Sequence, residues 1–333
     1  MSVRLFLKNA LEIEPRLFTV DFDLTPIMDE HDTAFISGSV PAGFGNKSSD
    51  VDIYVISDKN PLLPNGLKFG YTNLEHGYYN EVIVFTNNYI KELCSKINNN
   101  QYDVNNSEFL LEMEHYYRCA IGVPLLNSEK FFETVRDFST QIADAAYAQH
   151  YLSECKNKLR TLLLLIKYEL FELTVDYAKL SAEHAIDYLL AKNGEGYESR
   201  KFRFLKLEKL CERNSDLYKQ CWQIQFKGKR SSEDYANDVF RFCTELGISV
   251  IFSETDDLIF ALAGNISQVD MLGNFIVFNG NDVFSVKHEC LMIIDSLSIA
   301  PSSYFCLQKL FYKEQDFKDA LEELLYNGVI KIV

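Results

Sequence analysis

Residues 33–39 read Thr-Ala-Phe-Ile-Ser-Gly-Ser, and residues 50–56, beyond a linker holding Gly43, Gly45, Ser48 and Ser49, read Asp-Val-Asp-Ile-Tyr-Val-Ile. Each couples an apolar, β-branched and aromatic run to a polar end, the pattern of a short buried strand. In a strand, residues i and i+2 share a face, so Asp50 and Asp52 project together while Val51 points to the core. Two neighbouring carboxylates repel unless a cation lies between them, and hard oxygen donors suit Mg²⁺. Gly38-Ser39 sits where the first strand ends. Gly38 permits close approach of backbone to a ligand, and Ser39 offers a hydroxyl and an amide to phosphate oxygens. Pro41 predicts the first turn of a short helix, whose N-terminus favours anions.

Outward from this pair, the chain has three textures. Residues 1–130 mix helices with short strands at 35–37, 51–56 and 81–86, separated by Gly-, Asn- and Pro-rich gaps such as 59–66 and 98–106. Residues 131–248 carry apolar positions at spacings of three and four, as in Leu159, Leu162, Leu163, Ile166 and Leu170, which predicts a helical bundle interrupted at Asn193-Gly194-Glu195-Gly196. Residues 249–333 open with two strands, 275–278 and 282–286, joined at Asn279-Gly280-Asn281, a strong hairpin signal. Helices follow at 287–297, 304–312 and 314–326, then a strand at 329–333. The predicted class is α+β: a small mixed sheet, a bundle, and a winged-helix-like module.

Composition narrows the function. Among 333 residues, 47% are hydrophobic and 14% aromatic, enough for packed cores, and the formal net charge is −15. Such acidity argues against long nucleic acid as the main partner, because phosphate binding relies on a basic surface. The eight cysteines are scattered without a CxxC pair, which predicts reduced thiols rather than a metal site or disulfide scaffold. The N-terminal apolar patch is too interrupted for a signal peptide, and the run Leu162–Ile166 is far shorter than a membrane span, so a soluble cytoplasmic protein is expected. The histidines share no metal spacing, and Gly43-x-Gly45 lacks the rest of a dinucleotide fingerprint.

Taken together, the apolar strand, Gly38-Ser39, the linker and Asp50-Val51-Asp52 resemble the DNA polymerase β-like nucleotidyltransferase superfamily, most closely its small-molecule and antibiotic nucleotidyltransferases. A looser likeness runs from His115 to Phe132 through Tyr116-Tyr117-Arg118 and Gly122-Val123-Pro124-Leu125. The resemblance implies a catalytic sheet followed by helices, and transfer of a nucleoside monophosphate from an NTP, with ATP the first choice. It implies two Mg²⁺ ions on Asp50, Asp52 and a third carboxylate, for which Glu81 is the candidate and Glu75 the alternative. Gly38 and Ser39 would hold phosphate. Relatives carry a basic residue soon after Gly-Ser; here Val40-Pro41-Ala42-Gly43-Phe44-Gly45 has none, and Lys47 is the candidate replacement. The stretch Tyr197-Glu198-Ser199-Arg200-Lys201 resembles a helix that relatives turn towards the nucleotide, so Arg200 and Lys201 are candidate phosphate contacts; the competing reading is a solvated basic face. Lys227-Gly228-Lys229-Arg230 reads as a surface loop. Residues 274–333 resemble small peptide-binding domains of the PqqD type, which implies capture of a peptide by β-addition, with scaffolding or dimerisation as the competing role. The acceptor expected is a small molecule, peptide or protein. Alternatives are modification of tRNA or RNA ends, and an inactive nucleotide-binding regulatory protein.

Overall fold

The computed structural model describes residues 2–4, 21–23, 27–45, 51–59, 67–73, 78–197, 200–251, 253, 256–264, 266–271, 274–279 and 282–333. The chain forms two compact units, Met1–Ser153 with Ile186–Lys219 and Glu154–Ala185 with Gln220–Val333. These cuts fall elsewhere than the changes of composition near 130 and 248.

The first unit is a mixed α+β body. A two-stranded antiparallel ribbon joins β1 (Ser2–Arg4) to β2 (Asp21–Asp23). A five-stranded sheet contains β3 (Thr33–Ser37), β4 (Val51–Ile56), β5 (Leu67–Asn73), β6 (Tyr78–Phe85) and β7 (Val123–Leu126) in the order β5-β6-β4-β3-β7. All neighbours are antiparallel except β4 and β6, which run parallel. Between β6 and β7 come α1 (Asn87–Asn98) and α2 (Phe109–Ala120). Thr86 caps α1 by accepting the Tyr89 amide at 3.1 Å, which satisfies one of the orphan donors of the first turn.

Both faces are buried at β3, at residues 53–56 of β4 and at residues 82–85 of β6, so these segments read as near-continuous apolar runs rather than alternating ones. Ala34, Ile36, Ile53, Val55, Val82 and Val84 fill one face. Phe35, Tyr54, Ile56, Ile83 and Phe85 fill the other, with Ile90 of α1, Cys119 of α2 and Phe131 of α3 (Ser128–Val135) packed on them. Phe35 stacks on Tyr54 at 5.2 Å, and Tyr54 on Phe85 at 5.6 Å. Each such ring contributes about 1.5–3 kcal/mol by leaving water. Gly122 sits at the α2–β7 junction where a Cβ would lie 2.5 Å from the Phe35 ring, so only glycine lets β7 reach β3.

A second core of this unit gathers Phe44, Phe109, Met113, Tyr116, Tyr117, Tyr147, Tyr197 and Phe202. It draws on residues 140–153 of α4 (Thr140–Lys167), residues 186–192 of α5 (Phe171–Lys192), and the 3-10 turn Arg200–Phe202 that leads into α6 (Arg203–Leu210). The short α7 (Asp216–Ile224) begins in this unit.

The second unit contains the remaining parts of α4, α5 and α7, then α8 (Ser232–Glu245), β8 (Ile259–Leu262), β9 (Ile266–Met271), β10 (Asn274–Asn279), β11 (Asp282–Val286), α9 (His288–Ile299), β12 (Ser302–Ser303), α10 (Tyr304–Gln308), α11 (Glu314–Tyr326) and β13 (Ile330–Ile332). The expected hairpin is β10–β11, in register from Phe275↔Val286 to Asn279↔Asp282. It is extended by β9 into a meander, and β8 pairs with both β12 and β13 in a second small sheet. The middle helix of this region stops at Gln308, four residues short of the expected 304–312. Its core joins Leu164, Leu165 and Leu170 to Phe260, Ile293, Ile294, Phe317, Leu321 and Leu324, with Tyr168 stacked on Tyr304 at 3.8 Å. None of the eight cysteines forms a disulfide. Among the described residues no helix is long and apolar enough to cross a membrane.

Candidate functional site

β3 ends at Ser37, and Gly38 follows with φ +95°, a left-handed conformation that residues with a Cβ resist. The chain then folds into a closed turn. The Ala42 amide donates to the Gly38 carbonyl at 3.1 Å, and the Phe44 amide to the Ser39 carbonyl at 2.8 Å. Pro41 therefore stands in this turn rather than in the short helix expected from the sequence. Because β3 and β4 are antiparallel, the end of one strand lies beside the start of the other, and Ser37 pairs with Asp52. On the other side of β4, Asp52 pairs with Glu81 of β6. Glu81 is thus the register neighbour of Asp52, thanks to the parallel pairing of β4 and β6.

Gly38 and Asp52 are packed closely. A Cβ at position 38 would sit 2.2 Å from Asp52 Oδ2 and 2.6 Å from Arg118 Nη1. Arg118, in the last turn of α2, is the residue that the sequence reading missed as part of this site. Its side chain is 11% exposed and reaches Asp52 Oδ2 from Nη1 at 3.4 Å and Glu114 Oε1 from Nη2 at 3.0 Å. Its guanidinium carbon lies 5.2 Å from the centre of the Tyr197 ring. Its carbonyl accepts the Ser37 hydroxyl at 2.7 Å, which ties the end of α2 to the end of β3. Beneath them, burial holds the Tyr54 phenol far above its usual range, against the pull of Arg118 and helped by Asp52 and Glu114.

The Tyr197 ring is itself held from several sides. It stacks on Phe44 at 5.8 Å and meets Tyr117 edge-on at 5.7 Å, and its carbonyl accepts from the buried Lys206 ammonium at 2.9 Å. The preceding Gly196 amide donates to Asp144 Oδ1 at 2.8 Å, and a side chain at 196 would collide with that oxygen. Burial pushes the Asp144 carboxyl up to about 6; Glu195 adds to the shift, while the Gly196 hydrogen bond and Lys206 oppose it. Phe44 also stacks on Phe202 at 5.0 Å, and the Lys209 ammonium lies 3.9 Å from its ring while donating to the Ala42 carbonyl at 3.4 Å. Arg203 and Asp187 form a buried two-pronged ion pair, both bonds 2.8 Å, which fastens α6 to the end of α5. The turn after Gly38 is therefore gripped by aromatic rings and a lysine from far along the chain.

Of the residues expected from the sequence, Gly38, Ser39 and Asp52 come together at this corner. Lys47, Asp50 and Glu75 lie outside the described residues, and for Glu81 only the strand position is described. Arg200 and Lys201 are exposed on the 3-10 turn, and Lys201 rests 4.9 Å from the Phe202 ring. Among the described residues no group of three or more His, Cys, Asp or Glu is arranged to hold a metal ion. What is described fits a hard cation in donor type: Asp52 offers carboxylate oxygen at 19% exposure, with Glu81 as its register neighbour and Gly38 letting the backbone lie directly against it.

No protein-family model and no curated protein matches the chain. Among solved structures, it is similar to a nucleotidyltransferase-like protein from Exiguobacterium sibiricum 255-15 over 65% of this chain and 68% of that one, at 11% identity and a TM-score of 0.39.

Proposed function

We propose that this chain is a nucleotidyltransferase that moves a nucleoside monophosphate from an NTP, ATP first among them, to a small molecule, peptide or protein and releases pyrophosphate. The observation that carries this reading is the corner itself. A glycine with φ +95° ends β3 directly against the Asp52 carboxylate, and Asp52 stands in register with Glu81. A backbone turn without side-chain bulk beside strand-borne carboxylates is what phosphate and a cation need together.

In this reading Gly38 and Ser39 hold phosphate oxygens through their amides and the Ser39 hydroxyl, Asp50 and Asp52 would hold magnesium, and Glu81 would complete that set or act as the base. Bound magnesium supplies charge neutralisation on the leaving pyrophosphate and acidity to the attacking group. The acceptor oxygen or nitrogen forms a bond to the α-phosphorus as the bond from that phosphorus to the α–β bridging oxygen breaks. The acceptor's proton passes to the Glu81 carboxylate, and pyrophosphate carries away the displaced charge. Lys47, Arg200 and Lys201 remain candidate phosphate contacts within the same proposal.

Incubation with Mg²⁺, each labelled NTP in turn and a cell extract as the source of acceptor small molecules, peptides and proteins tests it, with pyrophosphate release above that of the extract alone as the readout. Release is expected with at least one NTP and should fall by about a hundredfold or more in Asp52→Ala, as for loss of a metal-holding carboxylate. Absence of binding to any nucleotide sinks the reading. Binding without release would instead support the inactive regulatory alternative.

A further inference from the structure

Within the turn after Gly38-Ser39 no basic side chain is available, since residues 40–45 are Val, Pro, Ala, Gly, Phe and Gly. The fold brings one from elsewhere. We propose that Arg118, delivered by the last turn of α2, binds the phosphates of the donor nucleotide at this turn; the inference rests on the nucleotidyl-transfer reading and names the side chain that recognises the triphosphate.

Three observations carry it. The first is position: Arg118 Nη1 lies 2.6 Å from where a side chain on Gly38 would begin, so the guanidinium lies against the backbone that the turn presents. The second is unused capacity. An arginine carries five N–H donors in a planar fork. Here Nη2 makes one bond of ordinary length, to Glu114 at 3.0 Å, and the Nη1 contact to Asp52 is long at 3.4 Å. Nε is buried with no hydrogen-bond partner among the described residues. An arginine placed only to tether Asp52 would be expected to grip it with short, paired bonds. The third is preorganisation. The Tyr197 ring lies 5.2 Å from the guanidinium carbon, the Ser37 hydroxyl anchors the Arg118 carbonyl, and Asp144 pins the Gly196 amide just before Tyr197. A fork fixed in this way loses little freedom when it takes up a phosphate. Glu114 is then the competitor, a carboxylate that an incoming phosphate displaces from the guanidinium.

Titration calorimetry with inorganic tripolyphosphate, in EDTA so that no divalent cation contributes, measures the contact without turnover. The full-length wild type is expected to bind. Arg118→Gln should weaken binding by about tenfold or more, and Arg118→Lys should recover only part, since a point charge lacks the fork. Glu114→Gln should tighten binding by about threefold, because it removes the competing charge. Circular dichroism and melting curves identify any variant that has unfolded. Wild-type protein that does not bind tripolyphosphate overturns the proposal, as does a folded Arg118→Gln that binds unchanged. If Arg118→Gln does not fold, Glu114→Gln decides alone: equal or weaker binding overturns it. The two readings fail separately. Arg118-dependent binding without pyrophosphate release from any NTP sinks nucleotidyl transfer and leaves the phosphate contact standing, while undiminished release by Arg118→Gln does the reverse.

Discussion

At position 38 a side chain is excluded twice, by a backbone φ of +95° and by the Asp52 and Arg118 atoms already in its place. Gly38→Ala should therefore cost about 1–3 kcal/mol of stability, the range for a residue forced into a left-handed conformation, with the clash at Asp52 adding to it. Urea denaturation measures the cost, and pyrophosphate release should be lost even at temperatures where the variant stays folded. Asp144 supports a prediction of a different kind. Its folded-state value of about 6 lies above the roughly 3.9 of an unfolded aspartate, so between those values the folded chain holds the proton and the unfolded chain does not. The stability this group contributes is fully present below about pH 4 and is lost as the pH rises through about 6. Asp144→Asn keeps an oxygen for the Gly196 amide but cannot ionise. Its melting temperature should exceed that of the wild type by about 2–4 °C at pH 7.5, and the gap should close by pH 4. Parallel melting curves across this pH range would show that the carboxyl is not perturbed.

At the scale of elements, α2 connects the sheet to the site. Its buried residues Phe109, Met113, Tyr116 and Tyr117 seat it on the aromatic core, while Cys119 touches the sheet, and that packing aims Arg118 at the end of β3. The join between α5 and α6 is of another type, since its central contact is the Arg203–Asp187 ion pair with side chains only 7% and 4% exposed. Removing one partner leaves a buried charge without compensation, and Asp187→Asn is expected to cost about 3–5 kcal/mol in urea denaturation. Replacing both, as Asp187→Leu with Arg203→Met, should recover most of that loss, because apolar groups of similar volume carry no desolvation penalty. If the double variant is as weak as the single one, the pair contributes through geometry that apolar packing does not reproduce.

For the whole molecule, the compact units are not consecutive stretches of chain: α4 and α5 each contribute residues to both. The sheet-bearing unit takes Tyr147, Tyr151, Tyr197 and Phe202 into its second core, all from beyond residue 130. A fragment of residues 1–130 keeps every strand of the five-stranded sheet but leaves Phe44, Phe109 and Tyr117 without those partners. It should bind ANS and melt without a cooperative transition, whereas the full chain should melt cooperatively. A sharp melt from that fragment would mean that the sheet and its first two helices suffice.

Local pattern determined what it physically can. Strands β3 and β4, the turn at Gly38-Ser39 and the β10–β11 hairpin follow from short apolar, β-branched and aromatic runs and from residues that tolerate positive φ, so they were legible in the sequence. The stop of α10 at Gln308 and the strands β8, β9 and β12 were not read, because short apolar runs do not reveal which neighbour will pair with them. Most of the corner was decided only by tertiary structure. Which strand lies parallel to β4, and hence that Glu81 stands opposite Asp52, depends on sheet order, which no local period encodes. That Arg118 reaches Asp52 and Tyr197 covers Arg118 depends on how α2 and the 193–197 loop pack, across 66 positions in the first case. The sequence supplied a glycine at one strand's end and a carboxylate at the start of the next; strand pairing set them side by side, and side-chain packing over long separations chose the cation that meets them.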